Sequence, residues 1–155
     1  GLICGIKRME IHDGDGLRTT VFFKGCPLSC IWCHNPESIS FEKQVAFFEQ
    51  KCISCKLCAG KEELCAAEAC PSGARVIFGE EYSAHELAHL LKKDKPFFDA
   101  SGGGVTLSGG ECLAQSEFAL ELARELKSEN ISVFVDTCGF VKQEIFEKIM
   151  PETFS

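Results

Sequence analysis

Apolar positions in this 155-residue chain follow two periods, one of strands and one of helices. Residues 19–24, Thr-Thr-Val-Phe-Phe-Lys, are β-branched and aromatic and stop at Gly25, which predicts a strand. Residues 102–111 predict a second strand with a glycine-rich exit, and residues 131–136 a third, buried one. Elsewhere the spacing becomes helical. Ser83-Ala-His-Glu86 has the form of a capping box and opens a helix to about Lys93, with Leu87, Leu90 and Leu91 on its apolar face. From Ser116, a candidate N-cap, the positions Phe118, Ala119, Leu122, Ala123 and Leu126 mark a second helix. A third spans residues 142–150, with Ile145, Phe146 and Ile149 inward. Residues 1–18 form a short lead-in whose Ile3, Ile6 and Met9 make an apolar edge of unassigned type. Its His12-Asp-Gly-Asp-Gly16 stretch has turn chemistry. Strands alternating with helices predict an α/β fold with a parallel sheet.

Hydrophobic residues at 45% and charged ones at 25% suit the packed core of one domain. A net charge of −7 without a basic patch argues against nucleic acid as a partner. The start carries no apolar signal core, and no stretch approaches the roughly 18 apolar residues that span a membrane. Eleven cysteines are the outlying count. They bunch at gaps of two and three residues, which suits metal ligation better than a disulfide framework. The expected compartment is therefore reducing, the cytoplasm of an organism that lives without oxygen.

Cys26, Cys30 and Cys33 stand at spacing C-x3-C-x2-C. Thiolates bind metal, and as soft ligands they favour iron–sulfur clusters, zinc and copper(I). A cubane cluster has four irons. Three cysteines hold three of them and leave one open. This loop follows the strand at 19–24, so the site falls at a strand's C-terminal end, where α/β barrels place their chemistry. A second cysteine-rich region, residues 45–80, holds Cys52, Cys55 and Cys58, then Cys65, then Cys70 before Pro71. It resembles half of a bacterial ferredoxin. The expectation is one auxiliary [4Fe–4S] cluster on Cys52, Cys55, Cys58 and Cys70. Cys65 competes as the fourth ligand, and a four-cysteine zinc site is the alternative. His85 and His89 sit at i and i+4, a spacing that can bind metal, but no third ligand is evident in sequence and a surface helix is the favoured reading.

With Trp32 just before the last cysteine, the three-cysteine motif resembles the signature of radical S-adenosylmethionine (SAM) enzymes. Three further strings resemble the glycyl-radical-enzyme activating enzymes: Ile-His-Asp-Gly-Asp-Gly-Leu-Arg-Thr-Thr at 11–20, Val-Phe-Phe-Lys-Gly-Cys-Pro at 21–27 and Trp-Cys-His-Asn-Pro-Glu-Ser at 32–38. Asp15 departs from the family's usual proline but removes no ligand. Ser108-Gly109-Gly110-Glu111 resembles the family's Gly-Gly-Glu element, which binds the SAM amino group. Glycines let backbone approach a ligand, and a carboxylate can accept from an ammonium. Asp136-Thr137-Cys138-Gly139 matches the family's Asp-Thr-x-Gly element, implying that Asp136 and Thr137 lie near the SAM carboxylate, directly or through a monovalent cation. Trp32 packs near the adenine by resemblance, or in the core by its own character. Cys112 reads as a buried small hydrophobe; Cys138 has two readings, a ligand or, as favoured for a lone cysteine at a strand end, a structural residue. The string from His34 to Glu37 shapes its loop.

The fold this implies is α/β, a partial (β/α) radical SAM barrel that is truncated and carries a ferredoxin-like insert. Residues 1–44 hold the first barrel strand and cluster loop, 45–80 the insert, and 81–155 the continuation of the barrel. A closed barrel typically needs about 250 residues. The chain stops at residues 151–155, where the family would begin its next strand, so it reads as about the first half of a family member. The implied activity is reductive cleavage of SAM to a 5′-deoxyadenosyl radical, which takes hydrogen from a glycine of a partner glycyl radical enzyme. A flavodoxin or ferredoxin is the expected electron donor. The insert, which would relay electrons or dock the partner, favours relatives that activate diol dehydratases, choline lyase and arylacetate decarboxylases. Competing readings are a two-cluster electron carrier, a radical SAM enzyme for a small molecule, and a zinc-stabilised module. The first leaves the Gly-Gly-Glu and Asp-Thr-x-Gly elements unexplained.

Overall fold

The unassigned lead-in is a strand. In the computed structural model, which describes residues 1–153, β1 (Leu2–Glu10) runs antiparallel to β2 (Arg18–Phe23). A separate antiparallel pair follows, β3 (Gln44–Phe47) with β4 (Arg75–Phe78), and between them lies the short helix α1 (Glu63–Glu68). The two-residue strand β5 (Glu80–Glu81) returns to the outer edge of β1. Helices α2 (Ala84–Leu91) and α3 (Lys95–Ser101) lead to β6 (Gly104–Gly109). Helix α4 (Ser116–Ser128) then crosses to β7 (Ser132–Val135), and α5 (Gln143–Thr153) ends the described chain.

The main sheet has the order β5-β1-β2-β6-β7. Strands β2, β6 and β7 are parallel, as expected. Strands β1 and β5 are antiparallel, which corrects the expectation of a parallel sheet throughout. The tight turn at 11–17 returns the chain directly beside β1, and so short a connection permits only an antiparallel pair.

Alternation decides the two faces of the sheet. Val21, Phe23, Val105, Leu107 and Val133 point to one side and are at most 3% exposed. They pack against Leu87 and Leu91 of α2, Phe98 of α3, Leu122 and Leu126 of α4, and Ile149 of α5. Full burial of one such leucine stabilises the fold by roughly 1.5–3 kcal/mol. The opposite face is polar: Thr20 and Thr106 are buried there beneath the turn at 11–17, and Ser108 is buried beside Asp136. Arg18 is buried on this face. Its guanidinium lies 4.0 Å from the Phe134 ring centroid and donates to Thr106 Oγ1 and the Val105 carbonyl. Burial pulls its pKa down to about 10.

The capping box of α2 forms as read. Ser83 Oγ accepts from the Glu86 N–H, and the Glu86 carboxylate accepts from the Ser83 N–H. Ser116 is corrected: it is the first residue of α4, and Gln115 precedes it without a side-chain cap. The side chain of Gln115 is engaged elsewhere, with the Leu2 backbone and the Lys24 carbonyl. Residues Pro151 to Thr153, where a new strand was expected to begin, continue α5. Pro151 is tolerated in that final turn, where the Lys127 ammonium meets its carbonyl. Residues 154 and 155 of that expectation lie outside the described residues. Among the described residues no helix is long and apolar enough to cross a membrane.

Candidate functional site

Three parallel strands end side by side, and each exit carries one of the motifs. The register pairs Phe23 with Gly109 and Leu107 with Val135. Cys26, the Gly109-Gly110-Glu111 turn and Asp136 with Thr137 therefore emerge along one edge of the sheet. In α/β proteins, ligands gather at this carboxyl end.

Backbone hydrogen bonds fasten the exits together. Gly110 N donates to Phe23 O and Glu111 N to Gly25 O, both at 2.9 Å. Asp136 N donates to Leu107 O at 2.9 Å. A Cβ at Gly110 would stand 2.5 Å from Gly25 O, so only glycine permits this approach. The cysteine loop is pinned at its base, with Gly25 N bonded to Ser38 O and Cys26 N to Ile39 O. Lys24 holds the same base from within: its Nζ donates to Glu37 O and Gln44 Oε1.

Glu111 is only 1% exposed and fully engaged. Its carboxylate accepts from Leu113 N, Thr137 Oγ1 and Cys138 N at 2.8–2.9 Å. The acid that the resemblance directs towards an ammonium is thus turned inward, where it joins the β6 exit to the β7 exit. Asp136 faces outward, and its Oδ2 accepts from Ser108 Oγ at 2.7 Å. Asp136 also borders a recess of about 370 Å³ on the polar face, shared with His12, Asp13 and Thr106. Asp13 is held as a turn residue by Thr20 Oγ1 and Thr106 Oγ1. Cys112 is wholly buried, as read. Burial, followed by the nearby Glu111 carboxylate, pushes its thiol well above the ordinary range. Cys138 is exposed rather than packed, which corrects its structural reading. Trp32 is 73% exposed, which removes core packing from its two readings.

Cys26, Cys30 and Cys33 are free, half-buried thiols on one loop. Among the described residues no three His, Cys, Asp or Glu side chains are gathered for a metal ion. The fit to an iron–sulfur cluster therefore rests on donor chemistry: three soft thiols, pinned at the loop base, at the strand ends. In the second cysteine-rich region, Cys52, Cys55 and Cys65 are exposed, while Cys58 and Cys70 are half-buried. The Cys70 thiol is drawn down to about 7, first by the Ser72 hydroxyl and then by backbone N–H groups of Arg75, Ala74 and Ser72. His85 and His89 lie on the exposed side of α2, and His85 faces Glu125 at 3.7 Å. Sequence reasoning missed Lys24 and Gln115 as builders of this edge, and it did not foresee the bond from Ser108 to Asp136. A lysine inside a strand-end apolar run was the one available signal.

A family model described as a 4Fe-4S single cluster domain matches residues 12–153. The trans-4-hydroxy-L-proline dehydratase activating enzyme of Clostridioides difficile is 41% identical over 170 aligned positions, covering 96% of this chain and 56% of that protein. The choline trimethylamine-lyase activating enzyme of Oleidesulfovibrio alaskensis is 39% identical, covering 95% and 55%. The pyruvate formate-lyase 2-activating enzyme of Escherichia coli is 47% identical over 137 positions, covering 88% and 45%. The chain thus spans about half the length of the curated relatives it matches. Among solved structures, QueE from Escherichia coli shares the fold, with a TM-score of 0.53 at 17% identity over 89% of this chain and 52% of that one.

Proposed function

We propose, for a chain that belongs to the 4Fe-4S single cluster domain family, the function of a glycyl-radical-enzyme activating enzyme. The resemblance read from the motifs agrees with the names of the curated relatives. The observation that carries the reading is the convergence of Cys26, Gly109-Gly110-Glu111 and Asp136-Thr137 at the ends of three adjacent parallel strands. When bound, a [4Fe–4S] cluster with one open iron supplies one electron to break the S–C5′ bond of SAM, giving methionine and a 5′-deoxyadenosyl radical that takes hydrogen from a glycine of the partner enzyme.

The chain's residues bind and orient. Cys26, Cys30 and Cys33 hold three irons. Gly109 and Gly110 offer backbone to the SAM amino group. Glu111 positions them through its bonds to Leu113, Thr137 and Cys138. Asp136 and Thr137 stand towards the SAM carboxylate, with a monovalent cation as a further element. Trp32, already exposed, covers the adenine.

The architecture that fits is a partial (β/α) barrel, with residues 1–44 and 81–155 as barrel and residues 45–80 as a ferredoxin-like insert. In that insert Cys52, Cys55, Cys58 and Cys70 hold an auxiliary [4Fe–4S] cluster. Cys70 is favoured over Cys65 because donors already face its sulfur. A flavodoxin or ferredoxin supplies electrons, and a glycyl radical enzyme is the protein substrate.

The test is anaerobic turnover. Cluster-loaded chain with dithionite and SAM is expected to form 5′-deoxyadenosine, and Cys26→Ala abolishes it. A loaded chain that binds SAM but never cleaves it, even when extended to the relatives' length, contradicts the proposal.

A further inference from the structure

Lys24 is wholly buried at the foot of the three-cysteine loop, yet no carboxylate forms an ion pair with it among the described residues. Its Nζ donates to two neutral acceptors, the Glu37 carbonyl at 2.6 Å and Gln44 Oε1 at 2.9 Å. The backbone around it is fixed as well: Lys24 N donates to Leu2 O, and Lys24 O accepts from Gln115 Nε2. The half-buried Cys4 thiol and the Glu37 side chain are the titratable groups that face it. An ammonium taken out of water needs compensating charge. Hydrogen bonds to two neutral oxygens satisfy its protons, and Glu37 acts on its charge only from beyond ion-pair distance.

The placement suggests what cancels it. Lys24 precedes Cys26 by two residues, Glu37 follows Cys33 by four, and Gln44 opens β3, the strand that leads into the second cysteine-rich region. One ammonium therefore ties together both feet of the cysteine loop and the start of that region. An iron–sulfur cluster held by thiolates is anionic, and reduction adds one more negative charge. Interactions around the sulfurs tune such potentials, and a fixed positive charge in a low-dielectric setting favours the reduced form.

We propose that Lys24 is a positioning residue for the three-cysteine loop and that its buried ammonium is a counter-charge that raises the reduction potential of the cluster held there. This rests on the reading of Cys26, Cys30 and Cys33 as cluster ligands. It explains why an unpaired lysine is buried here: the partner is the cluster itself.

The test is a redox titration of the anaerobically cluster-loaded chain, following the paramagnetic signal that changes when SAM is added. Lys24→Met removes the charge. Gln44→Glu keeps the lysine and places a carboxylate within ion-pair distance of it, with almost no change of shape. Lys24→Arg keeps the charge. Both Lys24→Met and Gln44→Glu are expected to titrate at more negative potential, with the ratio of reduced to oxidised cluster at fixed potential falling about tenfold, a shift of about 59 mV for one electron. Lys24→Arg is expected to stay with the unsubstituted chain. Should Lys24→Met hold no cluster, Gln44→Glu decides alone. An unshifted Gln44→Glu overturns the proposal, as does Lys24→Arg shifting like Lys24→Met. If the unsubstituted chain forms no SAM-responsive cluster, the ligand reading itself fails, an outcome distinct from a SAM-responsive cluster whose potential ignores Lys24.

Discussion

The Thr137 hydroxyl lies 2.8 Å from both carboxylate oxygens of Glu111, and through this contact one buried acid closes the seam between two strand exits. The same carboxylate accepts from Leu113 N and Cys138 N. Glu111→Ala would strand the buried Leu113 N–H, at a cost of about 1–3 kcal/mol, and would return the part-buried Thr137 hydroxyl and Cys138 N–H to water. The expected loss in urea unfolding of the cluster-free protein is about 2 kcal/mol. Thr137→Val removes one donor and leaves the rest, so about 1 kcal/mol is expected. Equal, negligible effects of both would show that the seam contributes no stability.

Gly110→Ala tests the close approach of the β6 exit to the cysteine loop. Its Cβ would press on the Gly25 carbonyl at 2.5 Å, one residue before Cys26. The expected result is a folded protein by far-ultraviolet circular dichroism with reduced iron content after reconstitution. Full iron content would mean that the loop yields without consequence.

Elements set by local chemistry were legible in the sequence, and those set by distant partners were not. Strands β2, β6 and β7 and the Ser83–Glu86 box declare themselves within a few residues. Strand β1 did not, because register shifts between Ile3 and Gly5 and between Lys7 and Glu10 break its alternation. Helix α3 is a seven-residue helix with little periodic content, and its Pro96 near the start and Gly102 at the end were the readable signals. The motifs located the site's residues but not their orientation. Glu111 reads as a ligand residue from its motif, and nothing local announces that Thr137 and Cys138, some 26 positions away, bond to its carboxylate. Cys138 reads as packed because free cysteines usually are, whereas its backbone N–H is held by Glu111 and its thiol is exposed.

The capping box carries a pH dependence. The Ser83 hydroxyl, then the Ser83 N–H, hold Glu86 below its ordinary value of 4.5. A depressed carboxylate stabilises above the unfolded value and loses that contribution as pH falls through the folded one. At neutral pH, Ser83→Ala is expected to cost about 1 kcal/mol. The gap in melting temperature between the two proteins should narrow below about pH 4. A gap that does not change with pH would contradict the reciprocal bond.

Cys70 offers a chemical readout. In the cluster-free protein, its alkylation by iodoacetamide, followed by peptide mass spectrometry, is expected to titrate near its value of about 7. Ser72→Ala removes the largest cause and should move that midpoint upward. A midpoint unmoved by Ser72→Ala would place the cause elsewhere. If the proposed auxiliary cluster is held by Cys70, Cys70→Ala lowers the iron content after reconstitution while Cys65→Ala leaves it unchanged. The reverse pattern would assign Cys65 as the ligand.

The most direct measurement is an electron paramagnetic resonance spectrum of the anaerobically reconstituted, reduced protein with and without SAM. The account predicts a signal that shifts on addition of SAM and disappears in Cys30→Ala. It is contradicted by a reduced spectrum in which no component responds to SAM, both in this chain and in one extended to the relatives' length, since such a protein would carry electrons without an open iron.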